Sequence, residues 1–409
     1  MKILHTSDWH LGHVLYEYDR THEHRSFLDQ LVAIAERERP DALIVCGDVF
    51  DRVVPSVEAR QLYVNTLLTL RDRCPDMRIV ITAGNHDGKS AIEVESLIWD
   101  RLNVKVIGQV ERLDDGSINA DRHIVEITDH EGHPAGFIIA VPHVYEYSYP
   151  QIGEAQTKEE RQKAFFQLLL DETARRNPDG LPVVLTAHLS LTGGNFAGHS
   201  FAESLGNIET VDQEQLGNGY DYLALGHIHN AKTFTGGAAM ARYCGTPIAV
   251  SFDEQGTHGV SLVTIARDAA PVVEEIPIRN PRPLLTLPAK PAPFEEALSE
   301  LEELPADTQA YIRLHVLLNG PLPPNYVERI TQTLKGKQAR YCCVKTVLPT
   351  ISSDDEEEPI ADTFDADNMP DPIELASHFF RKKFNVPPDE EMLKMLKEAI
   401  MRSNQAINS

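Results

Sequence analysis

Six short runs of β-branched and aliphatic residues punctuate the first 225 residues: Lys2-Ile3-Leu4, Ala42-Leu43-Ile44-Val45, Ile79-Val80-Ile81, Phe137-Ile138-Ile139-Ala140-Val141, Val183-Val184-Leu185 and Tyr222-Leu223-Ala224-Leu225. Between them lie amphipathic segments such as Phe27 to Arg39 and Val57 to Arg73, whose leucines recur at helical spacing. Alternation of strand-like and helix-like stretches up to about residue 283 predicts an α/β or layered α+β architecture.

Five short motifs stand just after apolar runs: Asp8-Trp9-His10, Gly47-Asp48, Gly84-Asn85-His86-Asp87, Ala187-His188 and Gly226-His227-Ile228-His229. Side chains that follow the ends of several sheet strands converge on one rim, so their distance in sequence is no obstacle to a shared site. The set offers oxygen and imidazole donors and no thiolate, which suits manganese, iron or zinc, and it is too large for one closed tetrahedral zinc. Two ions are the economical reading. In an extended Asp-x-His the alternate side chains point the same way, so Asp8 with His10, and His227 with His229, can each grip an ion. Asp48 can bridge the two with its two carboxylate oxygens. Any one motif has an ordinary explanation in a chain with 17 histidines, and His22, His24, His130, His133 and His378 are read as ordinary. Five motifs in this order at strand ends are not expected by chance.

Composition limits what surrounds such a site. The 409 residues carry 38 Lys plus Arg against 62 Asp plus Glu, a net charge of −24, which opposes nonspecific adhesion to DNA or anionic membrane. Nine of the acidic residues fall between Asp354 and Asp371, so bulk charge is a poor guide to the remaining surface. Cys46, Cys74, Cys244, Cys342 and Cys343 are odd in number and lack CxxC spacing, which excludes a disulfide framework and a cysteine zinc site. No apolar run is long enough to span a bilayer, and Lys2 precedes any signal-like core, so a cytoplasmic protein is expected.

Proline becomes dense between Pro277 and Pro293, which predicts a domain boundary. A small module follows: a helix through Phe294, Ala297, Leu298 and Leu301, a strand with Ile312, Leu314 and Val316 alternating, a helix near Asn325 to Leu334 and a strand from Tyr341 to Leu348. At roughly 65 residues it is marginal alone and is expected to pack on the first domain. Ser352 to Asp371 reads as an acidic linker. Beyond it, Ile373, Phe379, Phe380 and Phe384, then Met392, Leu393 and Leu396, line two short helices that either fold back on the body or dock on a partner.

At its motifs the chain resembles the calcineurin-like metallophosphoesterase superfamily, whose series is D-x-H, G-D, G-N-H-[DE], H and G-H-x-H. It is closer still to that superfamily's DNA-repair nuclease branch. The carriers are Met1 to Gly12, Gly47-Asp48-Val49-Phe50-Asp51, Ala83 to Asp87, Leu225 to His229, Arg242-Tyr243-Cys244-Gly245-Thr246-Pro247-Ile248 and Ser251-Phe252-Asp253-Glu254. The likeness spans residues 1 to about 350. It implies a four-layer β-sandwich flanked by helices over residues 1–283, a small α+β capping domain for DNA over 284–350, a flexible linker over 351–372, and helices over 373–409 that dock on the coiled-coil base of an ATPase partner. It implies a homodimer through helices near Val57 to Arg73 and Ala91 to Leu102.

The resemblance further implies two divalent cations, manganese first, one held by Asp8, His10, Asp48 and His229 and the other by Asp48, Asn85, His188 and His227. His86 is then the general acid for the leaving oxygen, oriented by Asp87 or Asp51. Other nuclease branches have histidine at position 51, so that residue's DNA-handling role does not transfer. The implied activity is exonucleolytic on duplex ends and endonucleolytic on single strands and hairpins. The alternatives are a phosphomonoesterase or cyclic-nucleotide phosphodiesterase on the same scaffold, and a noncatalytic DNA-end scaffold. The aromatic stretch Val144-Tyr145-Glu146-Tyr147-Ser148-Tyr149 either lines a DNA path or is a surface loop tucked on the body.

Overall fold

The apolar runs become strands whose two faces belong to different cores. In the computed structural model, which describes residues 1–192, 210–235, 237, 239–254, 256–349 and 392–394, Ile3, Ile44 and Val80 face an inner core while Leu4, Leu43, Val45, Ile79 and Ile81 face an outer one. Period-two alternation with apolar side chains on both sides makes each strand a divider between layers. The first six-stranded sheet has the order Val272–Pro277, Gly259–Thr264, Lys2–Thr6, Ala42–Cys46, Arg78–Thr82, Val104–Ile107. The second has the order Lys232–Phe234, Met240–Tyr243, Tyr222–Gly226, Val183–His188, Pro134–Ile139, Ile124–Thr128.

The sheets stack through Ile3, Ile44, Val80, Ile138, Val184, Tyr222 and Ala224. Helices Thr21–Glu38 and Val57–Arg73 cover the first sheet through Phe27, Leu31 and Leu67. Helix Lys158–Arg176, started by a Thr157/Glu160 capping box, covers the second through Phe165, Phe166 and Leu169. The result is the four-layer helix–sheet–sheet–helix sandwich with its α/β connections. The first helix begins six residues before Phe27, because its opening turns are polar and give no apolar periodicity.

Within each sheet the central strands run parallel: Lys2–Thr6 with Ala42–Cys46, that strand with Arg78–Thr82, and Val183–His188 with Tyr222–Gly226. Parallel strands deliver their C-terminal ends to one edge of a sheet. All five motifs therefore emerge together.

Leu284–Ala292, Tyr311–Leu317 and Arg340–Val347 form a separate parallel three-stranded sheet with helices Phe294–Glu303 and Tyr326–Thr333 over a core of Phe294, Leu301, Ile312, Leu314 and Ile330. The proline-dense segment is thus not a plain connector. It supplies the outer strand, where an absent N–H at Pro288 or Pro291 is tolerated. Tyr311 donates its hydroxyl to Glu23 (2.8 Å), and Arg313 reaches Asp253 (2.7 Å), so this sheet is pinned to the body, and Met1–Pro349 forms one compact unit. The linker over 351–372 and the helices over 373–409 lie outside the described residues, apart from the helical residues 392–394. No helix among the described residues is long and apolar enough to cross a membrane.

Candidate metal centre

Left-handed backbone concentrates at the converging strand ends. Asp8 (φ 52°), His10 (45°), Asp48 (49°) and His227 (95°) all adopt positive φ. A non-glycine residue seldom does so, and each such residue costs on the order of 1–3 kcal/mol unless its surroundings impose it. Four of the seven expected ligands share this distortion, so Asp8-Trp9-His10 and His227-Ile228-His229 are not the extended segments expected, and left-handed turns aim their side chains instead. Gly226 permits the two sheets to close on each other there, since a Cβ at that position would lie 1.8 Å from the Cys46 carbonyl oxygen.

The ring nitrogens and carboxylates gather into overlapping groups: Asp8, His10 and His229; Asp48, His188 and His227; and His10, Asp48 and His86. Asp48 belongs to two of them. Its Oδ2 lies 3.2 Å from His188 Nε2 and 3.9 Å from His10 Nε2, while its Oδ1 accepts the His86 backbone N–H at 2.9 Å. Asn85 Oδ1 stands 3.0 Å from His188 Nε2 and 3.1 Å from His227 Nδ1. Asp8 accepts the His227 backbone N–H at 3.1 Å and the Ser7 hydroxyl, which ties the first motif to the last. All seven residues expected as ligands are brought together.

The groups that aim these rings are mostly ones that the sequence did not point to. His188 Nδ1 meets the Cys46 carbonyl at 2.8 Å, which turns Nε2 toward Asp48 and Asn85. His229 Nδ1 meets the buried Glu254 carboxylate at 3.1 Å, and Glu254 also accepts from Thr246 and from the backbone N–H groups of Val250 and Ser251. His143 Nδ1 contacts the His188 carbonyl (2.9 Å) and its ring stands edge-on to His188. Such outer partners fix tautomer and orientation in metal sites.

Two expectations about orientation take a different form in the structure. His86 Nδ1 is held by the Asp51 main-chain carbonyl (3.0 Å), whereas the Asp51 carboxylate faces His10 Nδ1 (3.5 Å). Asp87 accepts three backbone N–H groups, from Val49, Phe50 and Gly84, so it clamps the loop carrying Asp48 to the loop carrying Asn85 and His86. Burial and the neighbouring Asp48 charge raise its pKa to about 6 against those three bonds.

Electrostatics show what the cluster is built to hold. Burial alone would raise the pKa of Asp48, yet His188, His10 and His86 hold it well below the usual carboxylate range. Burial alone would also strip His188 of its proton, yet the Asp48 charge lifts its pKa to about 9. A buried carboxylate thus demands positive charge beside it. His10 Nε2 is buried without a hydrogen-bond partner and lies 3.9 Å from Asp48 Oδ2, which leaves it available to an ion. The donor set and the orphaned nitrogen fit divalent cations.

Two consequences follow from these contacts. The Asp48 charge lifts the His188 pKa to about 9 and the His10 pKa is raised as well, whereas a coordinating imidazole nitrogen must be neutral, so metal uptake should release at least one proton per chain and weaken as pH falls below 9. Titration calorimetry in two buffers of different ionisation enthalpy reads that proton directly, and no buffer dependence would contradict the assignment. Glu254→Gln should weaken one ion by about 10–100-fold and spare the other. Metal titration of the variant checks this, and equal loss at both sites would refute a role confined to His229.

Residues 1–231 match the calcineurin-like phosphoesterase family. The chain is 36% identical over 312 residues to the SbcD subunit of nuclease SbcCD from Rhodobacter capsulatus, covering 74% of this chain and 76% of the relative. The chain belongs to the SbcD family of calcineurin-like phosphoesterases. The proteins of the same name from Bacillus subtilis and Escherichia coli strain K12 are each 28% identical, the first over 413 residues and 97% of both chains, the second over 326 residues and 77% of this chain and 78% of the relative. The family and the cluster of side chains that could hold metal make the chain a metal-dependent phosphodiesterase.

Proposed function

We propose that this chain is the nuclease component of an SbcCD-type complex, cutting DNA phosphodiesters with two divalent cations, manganese first. The observation that carries the reading is Asp48, buried between the His10 side and the His188–His227 side of one cluster. Asp8, His10, Asp48 and His229 would hold one ion, and Asp48, Asn85, His188 and His227 the other. Bound there, the cations supply Lewis acidity toward a phosphate oxygen and a water of lowered pKa.

The chain's own residues do the rest. Asp48 sets the spacing of the two halves. The Asp51 carbonyl holds His86 Nδ1–H, which leaves Nε2 to carry the proton delivered to the leaving 3′ oxygen. Asp51 and Glu254 aim His10 and His229, and Asp87 keeps the two loops in register.

In this reading the enzyme trims duplex ends as a 3′–5′ exonuclease and opens single strands and hairpins as an endonuclease, in the cytoplasm at the nucleoid. Residues 284–350 cap the DNA, and residues 373–409, tethered by 351–372, dock on the coiled coil of an SbcC-like ATPase in a heterotetramer with two of each chain. The homodimer forms through Val53, Val54, Val57, Val94, Leu97 and Ile98, exposed apolar side chains beside helices Val57–Arg73 and Ser96–Arg101. Deleting residues 372–409 should abolish co-purification with the ATPase and preserve metal-dependent cutting by the free chain; a retained complex would refute that docking role. The experiment for the function itself offers linear and hairpin DNA beside mononucleotides, cyclic nucleotides and phosphopeptides. Turnover of DNA supports the reading, and turnover of the small esters alone moves the chain to the phosphatase side of its superfamily.

A further inference from the structure

The aromatic stretch after Val141 is not tucked onto the body as a whole. Tyr149 is buried in the second sheet's outer core, but Tyr145 is 55% and Tyr147 83% exposed. An exposed tyrosine alone means little. What sets Tyr145 apart is its connection to the metal centre. His143 stands edge-on to the ligand His188 (ring centroids 5.9 Å apart), and Tyr145 stands edge-on to His143 (4.8 Å), so only one ring separates Tyr145 from the cluster. His143 is itself fixed at both ends of its residue, its N–H on the Ala83 carbonyl (2.7 Å) and its Nδ1 on the His188 carbonyl. Tyr145 therefore has a set position relative to Asn85, His86 and His188.

A cation completes the arrangement. Lys89, three residues beyond His86, places its ammonium 4.5 Å from the centre of the Tyr145 ring. In a chain of net charge −24 this puts positive charge over a partly exposed aromatic ring at the edge of a phosphodiester site. Proteins that hold single strands combine these two elements, a π-face for a base and a cation for the adjoining phosphate. We propose that Lys89 and Tyr145 form a lip that stacks an unpaired nucleotide next to the phosphate being cut. The lip deepens the nuclease reading and rests on it. It gives a physical reason for preferring frayed ends and hairpin loops, since a paired base has no free face to offer.

The test compares cleavage of a single-stranded thymidine oligonucleotide with that of the same backbone made abasic. Wild-type chain with manganese should prefer the thymidine strand by about tenfold or more in kcat/KM, the stacking of one base. Tyr145→Leu should abolish that preference, and Tyr145→Phe should keep it. Lys89→Gln should weaken binding of both strands alike and reduce the slope of log Kd against log salt by about 0.7, one phosphate contact on a single strand. A wild type indifferent to removal of the bases, or a Tyr145→Leu chain that retains the preference, overturns the lip while leaving the nuclease standing. Failure of the wild type to cut either strand overturns the nuclease reading and the lip with it.

Discussion

Replacing His86 by alanine is expected to lower kcat on DNA by about 10²–10⁴-fold while both ions stay bound. The geometry dictates the direction. His86 is the one histidine of the converging motifs whose Nδ1 is held by a main-chain carbonyl on the Asp51 loop while its backbone N–H anchors Asp48 Oδ1. Its ring lies 4.9 Å from that of His10, over the first of the two halves, and it is half-buried. A general acid must be protonated to act, so the alkaline limb of the wild-type activity profile should vanish in His86→Ala. The backbone N–H to Asp48 survives the substitution, so the fold and metal content should not change. Kinetics paired with metal analysis decide the matter, because loss of an ion in His86→Ala would make the residue a ligand within the His10, Asp48, His86 group and remove it from the proton transfer.

Asp48→Asn should be more severe, with cleavage lost by about 10³-fold or more, equivalent to about 4 kcal/mol of transition-state stabilisation. The carboxylate is 2% exposed and is the member common to the two halves, so neutralising it removes charge from both ions. The effect should be visible without any substrate. Losing Asp48 takes away what sustains His188 as an imidazolium, so the His188 pKa should fall from about 9 toward and below the ordinary value, leaving burial as the dominant influence. NMR titration of the metal-free chain reads that fall. An unmoved His188 in Asp48→Asn would mean that the two do not form the charge pair described above, and metal content equal to wild type would deny Asp48 its shared position.

The α/β alternation and the grouping of the donor motifs were legible because they obey local rules. A strand between layers shows as a short apolar run, and a parallel sheet brings the residues after such runs to one edge, so Asp8, Asp48, Asn85, His188 and His227 could be grouped from order alone. What surrounds them obeys no local rule. Cys46 serves through its carbonyl, which no side-chain identity announces. Glu254 reaches His229 from 25 positions away and across a loop. Asp51 splits its service between a main-chain oxygen for His86 and a carboxylate for His10, and Asp87 spends its oxygens on three backbone N–H groups. The same limit explains Leu284–Ala292, where prolines suggested an interruption but the strand lies at a sheet edge that needs fewer donors.

The most direct test of the whole account is cleavage of an end-labelled DNA hairpin by the purified chain as manganese is titrated from zero, with bound metal counted at each step. The expected result is no cutting in chelator, negligible cutting with one ion per chain, and full cutting only as the second ion binds. Cutting that persists in chelator, or a chain loaded with two ions that leaves DNA intact while releasing phosphate from small monoesters, would contradict it.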